Sequence, residues 1–188
     1  MTRPLVLGID PGFASLGYAI VSIGPADETI TAMGVVRTVR ATKKRRVRAS
    51  DDNFERAREL VGALQNLVRH HLIGRATLLV AESMSFPRNS SVAAKIAMCW
   101  GALAGVAVAE NLPVLQATPQ EIKRAVCGRR DASKEEVRER LLLRYGAGTV
   151  AALRLVPKSQ WDHPFGALAA IVACLETDHI RLLRQSGT

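Results

Sequence analysis

The stretch Leu5-Val6-Leu7-Gly8-Ile9-Asp10-Pro11-Gly12 constrains the fold more than any other. Five of the six residues from Leu5 to Asp10 are apolar or glycine, the pattern of a strand covered on both faces, and the run stops on a carboxylate. Pro11 and Gly12 punctuate a turn, and Gly17-Tyr18-Ala19-Ile20-Val21 resumes as a second apolar run. So short a connection favours an antiparallel hairpin over a parallel crossover. The chain thus opens on a hairpin that leaves Asp10 at the mouth of a buried strand. A carboxylate held there suits a metal ion or a general base. Asp-Pro and Pro-Gly are also ordinary turn dipeptides, so Asp10 alone leaves both readings open.

Further along, the same theme returns. Thr77-Leu78-Leu79-Val80-Ala81-Glu82 is a second buried apolar strand ending on an acid, and two such strands delivering acids to one sheet edge say more than either alone. Between them, Ile30 to Val39 reads as a third meander strand, and helical spacing of Leu60, Val61, Leu64, Leu67, Val68 and Leu72 marks a packing helix starting near Ser50. His70 and His71 fall at its end, where the helix dipole favours cations, and read as structural. Ser83 to Ser91 is a polar loop holding Phe86, Arg88 and Asn89. From Val92 to Glu110 the pattern is helical, with nine Ala or Gly between Ala93 and Ala109, which permits close approach to the sheet or to a second copy of the chain. Leu112 to Ala117 is a short strand. Thr118-Pro119-Gln120-Glu121 is a strong helix start, and Ser133 ahead of Lys134, Glu135 and Glu136 is another. The loop between carries Arg129 and Arg130, with Lys123 and Lys134 flanking it in a manner suited to phosphates. Trp161-Asp162-His163-Pro164 opens the last expected helix, with Leu168, Ile171, Val172 and Leu175 on its apolar side. Asp162 there serves either as a cap or as a third acid.

Charge points to the partner. The net charge is +9 over 188 residues, which favours an anion, most simply nucleic acid, although a ribosomal or membrane-surface protein would share it. Aromatics make up only 4%, so recognition through Lys and Arg on the phosphate backbone is favoured over stacking of bases on rings. Arg37, Arg40, Lys43, Lys44, Arg45, Arg46 and Arg48 form a basic run that reads either as a solvated loop or as an arm gripping phosphates. Cys99, Cys127 and Cys174 are far apart and lack CxxC spacing, which argues for reduced thiols and against zinc. No signal-peptide pattern is present, and no apolar run reaches the roughly 18 residues needed to span a bilayer; a cytoplasmic protein with no membrane partner is expected. The length predicts one domain spanning 1–188.

Three meander strands, helix, strand, helix, strand and then helices, with acids at the ends of the first and fourth strands, is the layout of ribonuclease H-like nucleases. The expected fold is therefore α/β, with a mixed five-stranded sheet of three antiparallel meander strands plus parallel strands, flanked by helices. Phosphodiester hydrolysis by two divalent ions about 4 Å apart needs clustered carboxylates. Gly8-Ile9-Asp10-Pro11-Gly12 with Gly17-Tyr18-Ala19-Ile20 resembles the opening motif of the RuvC family of Holliday-junction resolvases. Ala81-Glu82 followed by Asn89, Lys95, Gly101 and Gly105 is similar to that family's second acidic motif and long helix. Thr118 to Lys123, then Gly128 and Asp131-Ala132-Ser133-Lys134, resembles its basic segment, and Ala167-Leu168-Ala169 the start of its last helix.

The resemblance implies a homodimer that makes paired, symmetric nicks in four-way junction DNA with Mg²⁺ or Mn²⁺, two ions per active site. It brings a branch-migration helicase complex as a candidate partner. It assigns Asp10 and Glu82 to catalysis and metal binding, Lys123 and Lys134 to DNA phosphates together with Arg129 and Arg130, and Phe86, Arg88 and Asn89 to the junction. One departure stands out. The family closes its site with an acid or His, two residues, then Asp immediately before Ala-Leu-Ala; here that register holds His163 and Gly166. Either the catalytic and metal set is Asp10, Glu82, Asp162 and His163, or the chain is a catalytically weakened or inactive junction-binding protein. A ribonuclease H-like enzyme acting on RNA is a third reading.

Overall fold

The computed structural model of the chain describes residues 3–42, 47–71, 77–84 and 87–186. Its first strands are β1 (Leu5–Asp10), β2 (Ser15–Ile23) and β3 (Glu28–Arg37), antiparallel in sequence order. Helix α1 (Ala49–His71) leads to β4 (Thr77–Glu82), and α2 (Ser90–Ala109) to β5 (Val114–Ala117). β4 pairs parallel with β1, and β5 parallel with β4, so the sheet order is β3-β2-β1-β4-β5. The expected mixed five-stranded sheet is present. The third strand begins and ends two residues earlier than its apolar pattern predicted, since Glu28 and Thr29 pair with Ile23 and Ser22.

Strand alternation sends successive side chains to opposite faces, and each face has its own core. Leu5, Leu7, Ile9, Ile20, Leu79 and Ala81 pack beneath α1 and α2. On the other face, Val6, Ala19, Val21, Leu78 and Val80 meet the C-terminal helices. Those are α3 (Pro119–Cys127), α4 (Lys134–Tyr145), α5 (Ala147–Ala152), α6 (Asp162–Cys174) and α7 (Asp178–Ser186), with a 3₁₀ turn at Lys158–Gln160.

Both predicted capping boxes form. Thr118 accepts from the backbone N–H of Glu121 while Glu121 accepts from Thr118, and Ser133 and Glu136 do the same for α4. α6 is the central element of its layer. It lies on the sheet so closely that a Cβ added to Gly8 would stand 2.3 Å from the carbonyl oxygen of Ala167, and one added to Gly17 2.2 Å from that of His163. Only glycine at these two positions lets the helix backbone touch the strands.

α1 buries Leu60, Leu64 and Val68 as its spacing predicted, but also Arg56, 4% exposed. The Arg56 guanidinium donates to Oγ1 of Thr38 at 2.9 Å, pairs with Asp52 at 4.0 Å and covers the Phe13 ring at 4.6 Å. Thr38 in turn donates to the carbonyl of Phe13 at 2.7 Å, so the β1–β2 turn is tied to α1. Leu72 and the basic residues Lys43 to Arg46 lie outside the described residues.

α2 departs from the expectation about membrane spans. Over its 20 residues it is long and apolar enough to cross a bilayer by length and composition, with a mean hydropathy of 1.8 in its most apolar window. Counting uninterrupted runs missed this because Lys95 divides the stretch. One side packs on α1 and the sheet through Cys99, Ala102, Leu103 and Val106. The opposite side, with Ala94, Ala97, Gly101, Ala104, Gly105 and Val108, is exposed.

Candidate active site

Asp10 and Glu82 meet because of strand register. Ile9 pairs with Ala81 across the parallel β1–β4 ladder, so the next residue of each strand is a carboxylate on the same face, at the C-terminal edge of both strands. Neighbouring strands lie about 4.8 Å apart, which sets the scale of the separation. Both acids line a cleft of about 160 Å³ floored by Ile122, Val137 and Phe165. Its rim carries Lys134, Arg138, Asp162 and Gly166. A smaller hollow of about 40 Å³ reaches the same two carboxylates from the other side, beside Ile96 and Trp100 of α2.

Burial, and then the neighbouring Asp10 carboxylate, push the Glu82 carboxyl above its ordinary value; Lys134 and Lys123 pull the other way. This is the electrostatic signature of two acids crowded in a half-buried site.

Gly17 is the β2 partner of Asp10, and His163 sits directly over Gly17. Its Nδ1 therefore reaches Oδ2 of Asp10 at 3.0 Å. That hydrogen bond raises the imidazole above its ordinary pKa; the Asp10 and Asp162 charges add to the effect, while desolvation and Lys134 oppose it. Asp162 starts α6 without capping it, and its Oδ1 lies 3.6 Å from Nη1 of Arg138. Gly166, one turn further on, faces Asp10. A Cβ there would stand 3.2 Å from Asp10 Cγ and 3.3 Å from Oδ2.

The other expected DNA contacts differ in their placement. Lys134 lies on its rim, and Lys123 is near enough to act on Glu82. Arg129 is engaged by Asp131 at 3.1 Å and by Glu136. Arg130 and Arg88 are exposed. Asn89 caps α2, accepting from the Val92 N–H at 3.1 Å. Phe86 lies outside the described residues. Arg138 was not among the expected residues. Its spacing four residues after Lys134 places both on one helix face, a signal the mixed charge of the segment obscured.

A divalent ion suits part of this set. Asp10 and Glu82 offer hard oxygens, and their mutual repulsion is the charge a cation would neutralise. Among the described residues no group of three or more His, Cys, Asp or Glu side chains is placed to hold a metal ion by itself. Water or substrate oxygens would complete the coordination, as magnesium commonly allows.

A β3-β2-β1-β4-β5 sheet with paired acids on its two central parallel strands defines a ribonuclease H-like nuclease fold. Within that class the family is shown by sequence: the family model described as crossover junction endodeoxyribonuclease RuvC matches residues 6–145, and the chain belongs to this family. The crossover junction endodeoxyribonuclease RuvC of Natranaerobius thermophilus is 29% identical over 135 residues, covering 72% of this chain and 76% of that protein. The protein of the same name from Moorella thermoacetica is 28% identical over 168 residues, 89% of each chain. In fold, the chain is similar to Thermus thermophilus RuvC in complex with Holliday junction substrate, with a TM-score of 0.73 and 23% identity, covering 97% of this chain and 98% of that one. The yeast mitochondrial Holliday junction resolvase shares the fold at a TM-score of 0.64 and 13% identity, over 98% and 85% of the two chains.

Proposed function

We propose that the chain is a cytoplasmic Holliday-junction resolvase that makes paired, metal-dependent nicks in four-way DNA. The observation that carries this is the register of β1 and β4, which delivers Asp10 and Glu82 to one basic-rimmed cleft in a chain of the RuvC family. Asp10 and Glu82 would hold Mg²⁺ or Mn²⁺, two ions per site with water and phosphate oxygens as the remaining ligands. Held there, such ions would activate water and offset the charge on the leaving oxygen. His163 orients the Asp10 carboxylate through its 3.0 Å bond, fixing which oxygen faces the cleft. Lys123 and Lys134 draw the phosphates in and temper the charge on Glu82.

Pairing of nicks needs two sites. The exposed small-residue side of α2 suits close packing against α2 of a second copy, because nothing lies within 4 Å of a Cβ placed on Gly101 or Gly105. A two-fold axis there would set the spacing of the two cleavage points, and a branch-migration helicase would act on the same junction.

A second reading is favoured by Gly166, which supplies no carboxylate where it faces Asp10. On that reading the chain binds junctions and cleaves weakly or not at all. The test is incubation of the protein and of Asp10→Asn with an immobile four-way junction and a linear duplex, with and without Mg²⁺ or Mn²⁺. Metal-dependent paired nicks in the junction, absent in the variant, are expected. Tight binding without nicks would favour the second reading, and equal action on linear duplex or on RNA would reject both.

A further inference from the structure

We propose that Arg138, oriented by Asp162, grips the scissile phosphate and supplies positive charge on the side of the cleft that Gly166 leaves without a carboxylate. The proposal rests on the nuclease reading above and adds a residue to it. Val137 and Leu141 of α4 are buried, which fixes the rotation of the helix. That rotation turns Lys134 and Arg138, one turn apart, toward the cleft that Asp10 and Glu82 line. Lys134 stands at the helix start and acts on Glu82; Arg138 lies deeper along α4, across from the start of α6.

Several features distinguish Arg138 from an ordinary surface cation. Its partner Asp162 is the first residue of α6, next to His163, so the pair spans the cleft mouth from α4 to α6. At 3.6 Å, with side chains 35% and 53% exposed, the pair is too open to add much to folding stability. A guanidinium has five N–H donors in a planar fork, so a single contact to Asp162 orients it while leaving donors for a ligand. A phosphodiester matches that fork with two oxygens. Against Lys134 and Arg138 the cleft presents three carboxylates, Asp10, Glu82 and Asp162, all of which repel phosphate. Asp162, assigned to the metal set by sequence, is here a positioning residue for Arg138.

The experiment compares wild type with Arg138→Gln, Arg138→Lys and Asp162→Asn. Junction affinity is measured across a salt series in chelator, and single-turnover nicking at saturating protein across a Mn²⁺ titration. Expected for Arg138→Gln is a salt slope shallower by about 0.9, one phosphate contact, and nicking slower by about a hundredfold. Arg138→Lys should regain the slope but only part of the rate, because a point charge lacks the fork. Asp162→Asn should slow nicking by about tenfold at an unchanged half-saturating Mn²⁺. Arg138→Gln with wild-type slope and rate overturns the proposal, as does an Asp162→Asn variant whose defect is a higher Mn²⁺ requirement. If wild type binds junctions without nicking, the nuclease reading fails while the slope still decides whether Arg138 holds a phosphate. If wild type does not bind, both fall.

Discussion

Gly166 stands so close over Asp10 that a Cβ on it would be 3.2 Å from Cγ of the acid, which would have to give by a few tenths of an ångström. The present Asp10–His163 hydrogen bond and a side chain at 166 therefore compete for one space. Gly166→Asp should displace the Asp10 carboxylate slightly and add an oxygen ligand, raising metal-dependent nicking by about tenfold with junction affinity little changed. Gly166→Ala should lower nicking by about tenfold through displacement alone. Its stability should stay within about 1 kcal/mol of wild type, because the helix propensity gained over glycine offsets the crowding. Unchanged nicking in a folded Gly166→Asp would show that position 166 does not limit the chemistry.

Glu82 and His163 make stability fall as pH rises. The Glu82 carboxyl is held above its ordinary 4.5, so its ionised form is disfavoured in the fold; that cost is absent below pH 4.5 and complete above the raised value. Glu82→Gln should accordingly melt higher than wild type at pH 8 and no higher at pH 4, in chelator. Added Mg²⁺ should raise the wild-type Tm and leave that of the variant unmoved. For His163, raised above 6.5 by Asp10, the stabilisation is fully present below pH 6.5 and lost as pH climbs through the raised value. His163→Gln should thus differ from wild type in acid and converge with it in alkali, as thermal melts at stepped pH would register.

Arg56 is a buried cation with three partners, and Arg56→Met should destabilise the fold by about 3 kcal/mol, since Asp52 and Thr38 lose the group that satisfies them. Denaturant titration measures this directly. Because Thr38 and Phe13 anchor the turn after Asp10, a loss of nicking greater than the loss of folded protein is also expected.

Neutralising Lys43, Lys44, Arg45 and Arg46 with Gln should flatten the dependence of junction affinity on salt by about 0.9 for each phosphate released. A slope equal to wild type would make the segment a solvated loop.

The sheet and both capped helices were legible because they rest on local rules: continuous apolar runs in β1 and β4, and Thr118 or Ser133 three residues ahead of Glu. The pairing of Asp10 with Glu82 was legible too, as each ends an apolar strand. Arg56 was not, since periodicity reads a charge as surface and two of its partners, Thr38 and Phe13, lie outside its helix. α7 was missed because it is held by tertiary contacts: Arg184 donates to the carbonyl of Gly24 at 2.8 Å and pairs with Glu28. The bond from His163 to Asp10 depends on Gly17 admitting α6 to contact distance, which no motif announces.

Asp10 and His163 are 153 residues apart in the chain. β1 precedes α6 in the chain, yet its carboxylate acquires its imidazole and its cleft wall only once α6 is laid across Gly8 and Gly17. A nascent or C-terminally truncated chain would carry both acids with no cleft around them. Completion of the cleft thus follows the docking of α6, not the formation of the sheet that carries the acids.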